Sequence, residues 1–268
     1  MTHDVYDEFT KKLISSLVNT DSDQERVNTV GAILAVYLPM SDFMHSCVDR
    51  ALLALENGRS RWRNPPIDSD IEAGYVMRMI YWPANYRSDI HRHNLWTVTG
   101  VLYNSIEVVT YDELGISELA RYKGKVGAVG KVIPPCVHAA ENNTDVPSVT
   151  LAVFCRQPAK LRSGPEVEWI TDTEEAKYSA GAFERALRAF VFMINDAPGP
   201  MSLRLLDKIY DLARPSLQLL VIKAIAQLDV GRAIRRLEDL EYLLTDEQQR
   251  THVVEVRRSL EHAITLQA

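Results

Sequence analysis

Three of the seven histidines fall within one stretch of short apolar runs: His91 and His93 in DIHRHN, and His138 in PPCVHAAEN. Residues two apart on a strand project to the same face, so a His-x-His pair can aim two imidazoles at one metal ion. A third imidazole, from a strand remote in sequence but adjacent in a barrel, would complete a facial set with open positions for substrate and oxygen. On residue types alone a second reading stands beside this one: a chance pair at a strand mouth, with His138 unrelated to it.

The elements that must position these side chains are legible as changes of period. Val5, Phe9, Leu13 and Leu17 recur at about one helical turn, and Val27, Val30, Leu34 and Leu38 repeat the pattern after Asp21-Ser22-Asp23. Pro39 stops that second helix, and a third is expected from Ser41, as N-cap, to Gly58. Between about residues 70 and 156 the chain turns to β-branched and aromatic runs: Gly74–Trp82, Trp96–Tyr103, Ile106–Tyr111, Val126–Ile133 and Ser148–Cys155. Asn104-Ser105 reads as a hairpin turn and Asp112–Lys123 as a longer loop. Strands this short and evenly punctuated predict an antiparallel sandwich or barrel. After residue 172 the helical period returns, through Phe183, Leu187, Phe190 and Ile194 and onward to Val253, Val256, Leu260 and Ile264. Two domains are expected, 1–172 with the metal site and 173–268 as a helical domain.

Composition narrows the function classes. With 268 residues, 46% hydrophobic and 25% charged, the chain has globular proportions. A net charge of −6 provides no broad basic field for phosphates, so nucleic acid is not expected as a partner. No stretch reaches a membrane span and MTHDVYDEFTKK has no apolar signal core, so a cytoplasmic protein is expected. Three cysteines without CxxC spacing fit a reducing compartment and argue against a cysteine-rich zinc site. Among the remaining polar groups, Glu141 reads as a solvated strand-end charge, and Cys136 as a small packed residue. Trp82, Trp96, Tyr81 and Tyr86 read as packing, and His45 and His262 as structural. The runs Arg232–Arg236 and Arg257-Arg258 read as solvated faces with local ion pairs. Tyr122-Lys123-Gly124-Lys125 is too short for a phosphate-binding loop.

The histidine region resembles the two motifs of the cupin superfamily. In the first, Asn85 takes the opening glycine position, His91 and His93 the ligand pair, and Gly100 is read as the closing glycine. In the second, Gly127, His138 and Asn142 match a glycine eleven residues before the histidine and an asparagine four after it. Thr97 or Val98 stands where the usual glutamate ligand would be, leaving three histidines. That departure resembles the thiol dioxygenases, typified by cysteine dioxygenase, as does Met79-Ile80-Tyr81-Trp82 leading to Ser88, Ile90, His91 and His93. Trp62-Arg63-Asn64 resembles the place of the family's arginine, so the resemblance makes Arg63 a clamp for a substrate carboxylate; a solvated surface arginine is the other reading. The family's serine, histidine and tyrosine positions are occupied here by Thr150, Ala152 and Phe154, and its crosslinking cysteine falls near Val98.

The resemblance, which covers roughly residues 60–158, implies an antiparallel cupin-type β-barrel with N-terminal helices and a C-terminal helical bundle. It implies His91, His93 and His138 as ligands of Fe(II), with Mn, Ni or Zn as alternatives. The expected activity is dioxygenation of a small thiol or related anionic metabolite by O2. Other metal-dependent cupin reactions (carbon–carbon bond cleavage, isomerisation) and a non-catalytic metal or ligand sensor remain as alternatives. For the helical region three roles stay open: a cover for the barrel mouth, a homodimer interface, or a protein-docking surface.

Overall fold

The computed structural model describes residues 5–20, 22–58, 66–156, 167–170 and 182–265. Two compact units emerge, one ending at residue 182 and one beginning at residue 183; the expected boundary at 172 to 173 lies outside the described residues.

The first unit opens with three helices, α1 (Val5–Val18), α2 (Asp23–Tyr37) and α3 (Ser41–Gly58). The Ser22 hydroxyl accepts the Glu25 amide and so caps α2, while Ser41 is the first helical residue rather than a cap. Phe9, Tyr37 and Phe43 meet edge to face and tilted, giving the three helices a common aromatic core. No single helix among the described residues is long and apolar enough to cross a membrane; α2 and α3 together have the composition but are bent by 107°.

Eleven described strands follow: β1 (Pro66–Asp70), β2 (Tyr75–Trp82), β3 (Tyr86–Arg87), β4 (His91–His93), β5 (Thr97–Tyr103) and β6 (Ser105–Tyr111), then β7 (Glu118–Lys125), β8 (Val129–Val132), β9 (Val137–Asn142), β10 (Ser148–Cys155) and β11 (Val167–Trp169). They form two antiparallel sheets, ordered β1-β2-β10-β5-β8 and β11-β4-β9-β6-β7, with β3 paired to β9. Two expectations fail here. The segment read as a long loop contains β7, whose exposed polar face hides the strand period, and β5 and β6 do not form a hairpin. Asn104 (φ 60°) instead turns the chain from one sheet into the other. Its amide donates to Thr144 Oγ1, Ser148 Oγ and the carbonyls of Val146 and Pro147, which holds that corner.

The outward face of the first sheet carries Met77, Met79, Val98, Leu102, Leu151 and Val153, all nearly fully buried, with α2 packed on β5 and β8. Gly100 faces Leu38, whose Cδ1 would lie 2.3 Å from an added Cβ. Its role is close packing. The positive-φ position that closes the first motif is Asn104, one residue past the run of six that follows Thr97.

The second unit consists of α4 (Ala182–Asp196), α5 (Ser202–Leu212), α6 (Pro215–Leu228), α7 (Val230–Leu243) and α8 (Glu247–Thr265), with α5 to α8 packing consecutively. Arg236 is not a solvated residue: it binds Asp207 through two nitrogens, at 3.1 and 2.9 Å, and is only 23% exposed. Arg257 pairs with Glu241 and Glu261 as expected.

Candidate metal centre

His91 and His93 stand on the same face of β4, and the ladder sets His91 directly opposite His138 on β9. The three rings converge, with centroids 4.4 to 5.1 Å apart. One ring nitrogen from each lies within 4.8 Å of the others. A metal–imidazole bond of roughly 2.1 Å is within reach of small rotamer adjustments from there.

The Nδ1 side of each ring is occupied. His91 Nδ1 lies 2.8 Å from the Asp89 carbonyl, His93 Nδ1 3.0 Å from Thr97 Oγ1, and His138 Nδ1 3.4 Å from the Cys136 carbonyl. An Nδ1–H donating to an oxygen leaves Nε2 with its lone pair for a metal, the arrangement that orients ligating histidines. Burial disfavours the imidazolium form of all three. It holds His91 below its ordinary value despite the Asp89 carbonyl, and together with the neighbouring rings it pushes His93 down to about 3 and His138 to about 4. All three are therefore neutral at pH 7, the protonation state that ligation requires. Donor type, convergence and charge state fit a divalent transition metal.

No carboxylate joins this group among the described residues. Thr97, one of the two positions where a glutamate ligand was sought, instead supports His93; Val98 points outward into the core. Glu141 lies on the opposite face of β9 from His138. It is buried rather than solvated, and receives Arg121 Nη1 at 2.6 Å, Asn143 Nδ2 at 3.1 Å and Arg87 Nε at 3.2 Å. Burial pushes its carboxyl up, but those hydrogen bonds and charges outweigh it and hold the group below its ordinary range.

The interior face of the first sheet lies across from the histidines. Phe154 stacks on His93 at 5.8 Å and 10°. Thr150 accepts the Trp82 indole N–H at 2.9 Å. Trp82 packs with Val101, Ile106, Ala128 and Ala140, as expected. Asn142 donates to the carbonyls of Trp82, Pro83 and Val146. Asn85, at the opening glycine position of the first motif, has φ 52°. Cys47, Cys136 and Cys155 are not joined in disulfides, and Cys136 is partly buried. His45 is buried within α3 and His262 is exposed on α8. Arg63 lies outside the described residues.

Two antiparallel sheets in this strand order, with a His-x-His strand paired to a strand that carries a third histidine, are the architecture expected from the sequence. No family model matches the chain, and no curated protein matches it. Among solved structures, it is similar to a conserved protein with a double-stranded β-helix domain from Klebsiella pneumoniae, at 15% identity over 41% of this chain and 84% of that one, TM-score 0.32. A sugar phosphate isomerase from a cupin superfamily, from Silicibacter pomeroyi, shares 19% identity over 32% of this chain, TM-score 0.27, and this chain spans only 52% of its length. A cupin-like protein from Thermotoga maritima shares 19% identity over 39% of this chain and 71% of that one, TM-score 0.29. At those scores the likeness carries no argument.

Proposed function

We propose that this protein is a cupin and a mononuclear non-haem Fe(II) dioxygenase of the thiol dioxygenase type, with a small anionic thiol and O2 as substrates. One observation carries the reading: three neutral imidazoles converge and, among the described residues, no carboxylate joins them. Such a shell leaves the full charge of a divalent ion uncompensated, and so favours an anionic partner. Ferrous iron held there would supply a Lewis-acidic, redox-active centre with coordination positions left over. The overall conversion is balanced, RSH and O2 giving RSO2H with both oxygen atoms on sulfur.

The chain's own residues set the conditions for that reaction. The carbonyls of Asp89 and Cys136 accept an N–H from Nδ1 of His91 and His138, which leaves Nε2 of those rings for the metal, and the Thr97 hydroxyl holds Nδ1 of His93. Phe154 covers one side of His93 with an apolar surface. Ala152 and Phe154 offer no hydrogen bond, so substrate orientation must come from shape and from charge elsewhere on the interior wall.

Metal analysis of protein purified without supplementation, followed by oxygen uptake with cysteine, 3-mercaptopropionate and cysteamine, tests the proposal. Near-stoichiometric iron, and a product that has gained two oxygen atoms, are expected. Stoichiometric zinc, with no oxygen uptake across the panel after iron reconstitution, overturns it.

A further inference from the structure

We infer that Ile170 is a positioning residue for the metal centre: it anchors β11, and β11 holds the short strand that carries two of the three histidines. Metal binding and docking of β11 are then one linked equilibrium. The inference rests on the three-histidine centre of the reading above and adds what keeps that centre assembled.

β4 is three residues long, His91–His93, and lies between β9 and β11 in the second sheet. Its ladder with β9 pairs His91 with His138 and Arg92 with Val137. Its ladder with β11 is longer, pairing His93 with Val167, Arg92 with Glu168 and His91 with Trp169. The hydrogen bond that opens this second ladder runs from the Ile170 amide to the Ile90 carbonyl, at 2.9 Å. In an antiparallel pair, bonded positions alternate with unbonded ones, so the next bonded pair is Arg92 with Glu168. The backbone groups of His91 and His93 therefore point toward β9, and those of Ile90 and Arg92 toward β11. Both neighbours are needed to fix the peptide units that set the spacing of the two imidazoles. Without β11, β4 is an edge strand of three residues, and the backbone groups on either side of His91 lose their partners. Such short edges open locally at little cost.

Ile170 keeps β11 in place. Its side chain packs with Ile90 on the cluster formed by Val109, Tyr111, Val137 and Ala139. Val137 and Ala139 alternate with His138 along β9, so this cluster lies on the far side of the sheet from the imidazoles. Gly115 leaves the space for the anchor: a Cβ there would lie 3.0 Å from Ile170 Cγ2 and 3.2 Å from Ile90 Cγ2. Asp112 fixes that loop by accepting the Ile116 amide at 2.8 Å. By linkage, a metal that requires β4 in its paired geometry draws β11 onto it, and docked β11 raises metal affinity by the same factor.

Amide exchange followed by nuclear magnetic resonance, with and without Zn(II), tests the inference, since zinc binds imidazole and has no redox chemistry. With free Zn(II) at about 100 times its Kd, exchange of the Ile170 amide is expected to slow at least about tenfold. Amides of β1, a strand at the edge of the other sheet, should change less than about twofold. Ile170→Ser is expected to bind Zn(II) about tenfold more weakly, with the urea midpoint of the metal-free protein near that of wild type, and Ile170→Val to stay within about twofold. Should the serine variant fail to fold, the wild-type exchange experiment decides alone. Equal slowing of β1 and Ile170, no slowing at Ile170, or a folded Ile170→Ser protein with wild-type affinity each overturns the inference. Wild type that binds no Zn(II) overturns it together with the three-histidine centre. Wild type that shows the coupling but consumes no oxygen with any thiol keeps the anchor and removes only the dioxygenase.

Discussion

Replacing Thr97 with valine removes one oxygen atom from the support of the metal centre and almost nothing else. Thr97 is 3% exposed and His93 8%, so water does not take the place of the lost hydroxyl. The Nδ1–H of His93, at 3.0 Å from Oγ1, becomes an unpaired buried donor. Leaving such a donor unsatisfied costs about 1–3 kcal/mol, and the ring is then free to present either tautomer. At about 1.4 kcal/mol per factor of ten this predicts a 10- to 100-fold loss of metal affinity, the range seen when a ligand's supporting partner is removed. Competition against a chelator of known affinity measures it, with circular dichroism of the metal-free protein as a check on folding. Thr97→Ser, which keeps the oxygen, should stay within about threefold of wild type. Equal affinities for the valine variant and wild type would refute the claim that Thr97 orients His93, and with it the assignment of Nε2 as the ligating atom.

The remaining expectations are independent of that one. His138→Ala should bring metal content close to background while the far-ultraviolet spectrum is preserved; full metal loading in a folded variant would remove the three-histidine site. Gly100→Ala should destabilise the protein by about 1–3 kcal/mol through the collision with Leu38, with metal affinity unchanged, and Leu38→Ala in the same chain should recover part of the loss. Glu141→Gln should cost about 1–2 kcal/mol at pH 7, a modest figure because Arg121 and Arg87 are 40% and 54% exposed. Since the folded carboxyl is held below its ordinary value of 4.5, its contribution is complete above that value and is lost as pH falls through the folded one. Urea midpoints of variant and wild type should therefore differ at pH 7 and converge once pH falls below the folded value, and a gap that persists there would show that the carboxylate charge is not what stabilises the sheet.

The helices and the histidine set were legible because each depends on local pattern. An apolar residue every turn marks α1, α2 and the five C-terminal helices wherever they pack, and His-x-His needs only the two-residue period of a strand. The second sheet was harder. β7 escaped because one of its faces carries Arg121, Lys123 and Lys125 and the other Ala120 and an exposed Tyr122, so apolar alternation never shows. Glu141 was misread for a related reason: the sequence shows a charge at a strand end but not the two arginines, at positions 87 and 121, that reach it from strands on either side.

Arg78 marks where sequence reading stops in principle. The period of a strand says that Arg78 shares a face with Val76, Ile80 and Trp82, but not whether that face is the barrel wall or the surface beneath α2, since both are apolar. The answer depends on register, which the pairings of β2, β10 and β5 fix together, including the irregularity between Val149 and Thr150. A slip of one residue would turn Arg78 into the helix-covered core, exchange it with Met77 or Met79, and bury an arginine among side chains without polar atoms. That cost selects the observed register, and the same selection delivers the cation to the histidine side. Fold stability and the face presented to the histidines are thus set by one alignment of three strands. A change that shifted it, such as deleting Asn104 at the corner between β5 and β6, should therefore lose metal binding and cooperative unfolding together, measured by chelator competition and urea titration on one preparation. Loss of metal binding with unfolding unchanged would show that the two are not linked through register.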